Sequence, residues 1–308
     1  MATLLSNVQD VCLELGLPTP NAVASSADDQ ILQMMALMNR VGDTLATERD
    51  WQVLASEHRF TTVYYQYTGS IIDGNGAITI PSESVANLTS DYMVFGDGVM
   101  QDTWVTSIFT PGDGYTYVYI NIPATGTYDN VTFTFGKAKY AMPSDYARMV
   151  DKTTYNKSNR WSVIGPKDAQ EWQWLKASYV TTVPRMRFRM IGNKFTVWPA
   201  PTSHVVMGFE YISNAWVDGY DGTLKSRFTN DGDTSLFPDR LLVLGTKLKL
   251  FEIKGFDTTA VLQDYTRELE KWKASESGAD TLSLSPKYPN ILLTANSIPD
   301  TGYGNSTS

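Results

Sequence analysis
The spacing of apolar residues changes twice along this chain, and that change restricts its fold more than any single motif. Leu4, Leu5, Val8, Val11, Cys12 and Leu15 recur at helical spacing, and Gly16 with Pro18 ends the run. A second stripe follows the cap-rich stretch Ser26–Asp29: Ile31, Met34, Leu37, Met38, Val41 and Leu45. From about residue 57 to 140 apolar residues alternate instead, in "HRFTTVYYQYTG", "AITIP", "DYMVFGD", "TWVTSIF", "YTYVYINIP" and "NVTFTFGKAKY". Turn residues such as "DGNG" interrupt them about every ten positions, as an antiparallel sandwich or barrel requires. A short helix "KDAQEWQWLKASY", opened by Pro166, precedes the strands "RMRFRMIG", "KFTVWP" and "VVMGFEYIS". Helical spacing then returns from Pro238 to about Lys254, and Gly255 breaks it. Asp257 caps a last helix with Val261, Leu262, Tyr265, Leu269 and Trp272 on one side.

The fold class expected is α+β. An N-terminal helical hairpin and C-terminal helices form a helical bundle beside antiparallel sheet or sandwich regions. The boundaries read as 1–56 for the hairpin, 57–140 for a β domain that is partly an insertion, and 141–276 for mixed strands and the completing helices. Residues 277–308, rich in Ser, Asn and Pro, read as an extended arm that cannot fold alone but can dock on a partner.

The chain of 308 residues carries a formal charge of −8, which argues against a protein that grips nucleic acid through clustered Lys and Arg. A surface past which DNA slides without sticking remains compatible with it. The single Cys12 excludes an intrachain disulfide and reads as a small core residue. Without an apolar run of about 18 residues or a signal-like N-terminus, the chain is expected to be made in a cytosol and to avoid membranes. Met34, Met35 and Met38 read as adaptable packing, suited also to a subunit interface.

Catalytic signatures do not emerge. His58 and His204 lie far apart in sequence and read as rim or turn residues, in no metal or triad spacing. "LGTKLK" lacks the upstream Gly and the Ser or Thr of a phosphate loop. "NDGDTS", Asn230–Ser235, resembles half a calcium loop but reads better as an Asx-type turn leading into a helix. No catalytic, cofactor or metal residue is assigned. The sequons at Asn87, Asn130 and Asn305 carry no meaning without secretion. In "NKFTVWPAPTSHVVMGFEYISNAW", Phe195 and Val197 share one strand face, and Met207, Phe209 and Tyr211 share another. Core packing accounts for them better than a sugar-stacking platform does.

The order of these signals is more informative than any one of them. Trp51 closing the helical pair, the step Pro143–Tyr146, the strand Gly192–Pro201, the strand Phe209–Tyr211 and the acidic turn and helix start Asp231–Leu242 follow one another. In that order, over about 1–60 and 135–275, the chain resembles the head-to-tail adaptor (connector) proteins of short-tailed bacteriophages. That group includes tail tubular protein A and related tail accessory factors.

The resemblance implies a non-enzymatic part of the virion at the head–tail junction, without cofactors. Such proteins form a homo-oligomeric ring, commonly of twelve copies, below the portal protein. They extend the DNA channel, through which double-stranded DNA passes without specific binding, and carry the tail nozzle or tail fibre proteins. On that reading the arm from Ala279 to Ser308 orders on the portal or a neighbour, with Leu282, Leu284, Tyr288, Ile291, Leu292 and Leu293 as anchors. The alternative is a β-rich tail or fibre component binding host carbohydrate through Tyr and Trp of residues 60–135. A carboxylate-based hydrolase ranks third.

Overall fold
A computed structural model describes residues 2–82, 85–165, 167–177 and 186–276. Along the chain it places α1 (Leu4–Leu15), α2 (Asp29–Glu48), β1 (Ala55–Thr61), β2 (Tyr64–Ile71), β3 (Ala77–Ile80), β4 (Tyr92–Phe95), β5 (Val105–Phe109) and β6 (Thr116–Ile120). Then come β7 (Tyr128–Lys137), β8 (Lys139–Ala141), β9 (Tyr146–Met149), β10 (Tyr155–Asn156), β11 (Trp161–Ser162) and α3 (Ala169–Ala177). The rest comprises β12 (Arg187–Ile191), β13 (Lys194–Trp198), β14 (Val206–Ser213), β15 (Val217–Asp218), β16 (Leu224–Lys225), β17 (Thr234–Ser235), α4 (Asp239–Lys254) and α5 (Thr259–Glu276). The chain is α+β, with antiparallel pairing between all these strands.

The helices start and stop where their sequence dictates. Thr3 accepts the Ser6 N–H to cap α1, and Asp28 accepts the Gln30 N–H to cap α2. Gly16 adopts a left-handed conformation and returns its N–H to the carbonyls of Cys12 and Leu13, ending α1. The apolar stripes of α1 and α2 meet Leu241 and Leu242 of α4 and Leu269 of α5 in one core. Each such side chain stabilises the fold by roughly 1.5–3 kcal/mol on leaving water. Cys12 is fully buried there, as expected, with its Sγ 3.7 Å from Met34 Sδ. Leu262 departs from the expected stripe and is exposed, while Tyr265 and Trp272 pack against the core.

Six strands in the order β4-β7-β2-β3-β6-β5 make a second unit. The sheet closes on itself: Met93 bridges Trp104, and the Val94 N–H donates to the Thr103 carbonyl at 2.9 Å. The result is a small barrel filled by Ile78, Val94, Val118, Phe133 and Phe135, among others.

Between barrel and helices, β1, β14, β10 and β11, with β9 also on β14, face the sheet β12-β13-β8. Phe195, Val197, Met207, Phe209 and Tyr211 fill the space between them, the core packing expected of that stretch. Two expected runs are each two strands. "HRFTTVYYQYTG" divides at Thr62, which is fully buried and held by Ser203 and Val205, so β1 and β2 enter different sheets. "NVTFTFGKAKY" divides at buried Ala138, whose N–H donates to the Asp91 carbonyl. His58 lies within β1, its ring against Phe60 and Phe209, and burial pushes its pKa down. His204 sits at the β13–β14 corner, its Nδ1 2.8 Å from the Thr62 carbonyl.

Candidate assembly surfaces
The residues that carry the sequence resemblance are mostly interior. Trp51 is fully buried; its indole N–H donates to the Leu45 carbonyl at 2.6 Å. Its ring stacks on Trp272 of α5 at 3.9 Å between centroids and meets Phe237, just before α4, edge-on at 6.3 Å. Trp216 stacks on the same Phe237 at 5.9 Å and donates to Asp43 of α2 at 3.2 Å. These rings therefore fasten the end of the N-terminal helices to the start of α4 and the end of α5.

Asp145 joins two further segments. Its carboxylate accepts the Tyr211 hydroxyl at 3.0 Å and the Ser213 hydroxyl at 2.7 Å, and its carbonyl accepts the Asn214 N–H. Burial, with the neighbouring Asp145 carboxylate, pushes the Tyr211 phenol up to about 12. Gly192 and Asn193 are both left-handed, at φ 56°, and form the tight two-residue turn between β12 and β13.

In the acidic loop, Asp231 accepts the Val23 and Ala24 N–H groups. Asp233, fully buried, accepts the N–H groups of Thr229, Asn230 and Tyr220 and the Lys225 ammonium. Burial alone would raise its carboxyl pKa, but these donors outweigh it and hold the group at about 2. The loop's carboxylates accept from these donors rather than from the residue two positions on, so the turn is not of the expected Asx type; the lead-in to α4 is made by Ser235, whose hydroxyl accepts the Phe237 N–H. Among the described residues no group of three or more His, Cys, Asp or Glu could hold a metal ion.

The model of one protein family, described as SU10 adaptor protein, matches residues 121–286, more than half of the chain. The chain belongs to the SU10 adaptor family. That is a phage adaptor family, in line with the resemblance read from the sequence. The match begins shortly before β7 and takes in α3, α4 and α5, whereas α1 and α2 lie outside it. No curated protein matches the chain.

An adaptor acts through its surface, and the exposed apolar residues fall into patches. The α1 terminus runs beside α4 in the same direction: Ala2 N donates to Asp239 and Lys247 pairs with Glu14. α1 therefore ends level with the middle of α4; Ile253, Phe256 and Leu262 stand exposed around the tip of α4, and Leu13 near the end of α1. The Phe256 ring meets that of Phe251 edge-on at 5.5 Å.

An open groove of about 570 Å³ runs along α2, lined by Leu32, Met35, Asn39, Arg40, Asp43 and Arg227. Of the three methionines expected to suit an interface, only Met35 reaches it; Met34 and Met38 are core. Another, of about 580 Å³, crosses β1, β10 and β14 between Lys152, Lys157, Arg160, Tyr155 and Glu57.

On the barrel exterior Phe109 pairs with Tyr117 across β5 and β6, with Tyr115 and Tyr119 beside them. Phe109, Tyr115 and Tyr119 are all more than two-fifths exposed, and Tyr117 donates its hydroxyl to Asp113. Sequence reasoning pointed to Met35 and to Tyr and Trp of residues 60–135 but did not place these patches. Alternation in "TWVTSIF" and "YTYVYINIP" did mark which residues share a face, but not which face is wet. The predicted anchors Leu282, Leu284, Tyr288, Ile291, Leu292 and Leu293 lie outside the described residues.

Proposed function
We propose that this protein is a non-enzymatic head-to-tail adaptor whose copies assemble as a ring, commonly of twelve, below the portal. There it would extend the DNA channel and carry the tail nozzle or fibres. The likeness to tail tubular protein A, the helical-bundle arrangement and the arm-mediated docking of residues 277–308 belong to the same reading. Its main support is the family match, which covers the chain from just before β7 through α5. Two features agree with it. The residues of the resemblance serve packing and turn formation, and the net charge of −8 suits a channel that does not trap DNA. Subunits in such a ring meet head to tail, so one face must be complementary to a different one. The apolar tip at Phe256 and the groove along α2 supply two unlike faces.

The test is negative-stain imaging of the purified protein mixed with the portal oligomer of the same phage. A symmetric collar under the portal is the expected result. Two separate species, with this protein as trimers or elongated particles, would overturn the assignment. One observation favours the second reading, a carbohydrate-binding tail or fibre component: the exposed Phe109, Tyr115 and Tyr119 on the barrel.

A further inference from the structure
Among the described residues β1 has a partner on one side only. Its seven residues, Ala55–Thr61, pair with Val206–Ile212 of β14, while β9 and β10 occupy the far edge of β14. Among the described residues no strand pairs with the outer edge of β1. An open edge of about 23 Å presents a row of N–H and C=O groups that proteins generally cover or blunt. The two faces of β1 differ. Ser56, His58 and Phe60 are half-buried and turn toward the core, whereas Glu57 and Arg59 are exposed and paired with each other.

The end of α5 is tied to the start of this edge. The Val53 N–H donates to Glu276 at 3.0 Å, the Arg49 guanidinium reaches the Lys273 carbonyl, and Lys273 pairs with Glu48. The chain therefore leaves α5 beside the residues that lead into Ala55. Beyond Glu276 the sequence reads Ser277-Gly278-Ala279-Asp280, then Thr281-Leu282-Ser283-Leu284-Ser285, then Pro286. "TLSLS" alternates with the period of a strand, and Pro286, which has no N–H, is suited to end it. Four intervening residues span at most about 14 Å, and five strand residues cover about 17 Å.

We propose that Thr281–Ser285 of the same chain adds to the free edge of β1 as a parallel strand. Leu282 and Leu284 then lie beside Ser56, His58 and Phe60, while Thr281, Ser283 and Ser285 lie beside Glu57 and Arg59. The six predicted anchors divide accordingly. Leu282 and Leu284 serve the protein's own fold, and Tyr288, Ile291, Leu292 and Leu293 are presented at the Thr61 end for a partner. This goes beyond the adaptor reading and is tested without the portal.

Hydrogen–deuterium exchange of the β1 amides decides it, in the full chain, in a chain ending at Gly278, and in a full chain carrying Ser283→Pro and Leu284→Pro. Successive strand residues face opposite edges, so one of the two prolines removes a donor aimed at β1. Alternate β1 amides should exchange at least about tenfold faster in both altered chains, with β14 and α2 unchanged. Protection in the full chain should survive hundredfold dilution. Equal exchange in the full chain and the proline variant overturns the proposal. Protection that fades on dilution also overturns it, giving the edge to a second copy. If the shortened chain misfolds, which the α2 amides report, the proline variant still gives the answer.

Discussion
Gly42 lies in the middle of α2, where replacing glycine by alanine ordinarily stabilises a helix by about 1 kcal/mol. Here packing reverses the sign. A Cβ on Gly42 would stand 2.1 Å from Cζ2 and 2.2 Å from Cη2 of Trp216, against about 3.5–4.0 Å for carbon contacts. The indole cannot retreat freely: it is fully buried, stacked on Phe237, met edge-on by Phe228 at 5.1 Å and bonded to Asp43. Forcing atoms into such a core costs typically 1–3 kcal/mol, and the strained Asp43 bond adds about 1 kcal/mol. Set against the propensity gain, Gly42→Ala should lose about 2 kcal/mol. At roughly 2 °C per kcal/mol for a chain of this size, that lowers the melting temperature by about 4 °C. Thermal unfolding followed by far-UV circular dichroism reads it. Pairing the change with Trp216→Phe should cost less than the two single changes summed, since the smaller ring makes room. A Gly42→Ala protein as stable as the parent would refute the reasoning.

Asp233→Asn keeps the shape of the side chain but turns an amide toward N–H donors and Lys225, and should cost about 3 kcal/mol in urea unfolding at pH 7. Because the folded pKa of Asp233 is depressed to about 2, its contribution is present above the unfolded value near 4 and is lost as pH falls through 2. The gap between parent and Asp233→Asn should therefore narrow from pH 4 to pH 2; a constant gap would contradict the assignment. For the barrel, Phe109→Ala with Tyr119→Ala removes exposed rings without touching its core. The adaptor reading expects no change in a glycan-array profile, and a host polysaccharide signal abolished by this pair would establish the carbohydrate reading instead.

Much of this fold was legible because its helices and strands are long enough to show a period. α1, α2, α4 and β14 fall where apolar spacing and caps put them. The two divided runs were not legible: alternation continues through Thr62 and Ala138, and only contacts with distant Val205 and Asp91 show that the chain changes sheets there. β10, β11, β15, β16 and β17 are two residues each, too short to carry a period. Leu262 fits a helical stripe by spacing yet is exposed, because α5 meets the core through the Val261, Tyr265 and Leu269 side.

The surfaces were hidden for a different physical reason. A buried residue such as Trp51 or Asp233 answers to many fixed neighbours, so its type and spacing are constrained and a sequence pattern survives. An exposed side chain answers to whatever docks on it, and that partner is not in the sequence. Phe256 at the helix tip and Met35 in the α2 groove share this property. For a protein that works by assembly, the order of the segments identifies the scaffold, while the unsatisfied surfaces indicate where its partners bind. The open edge of β1 is more specific than either. An apolar patch accepts many shapes, whereas a strand edge accepts only an extended segment in register.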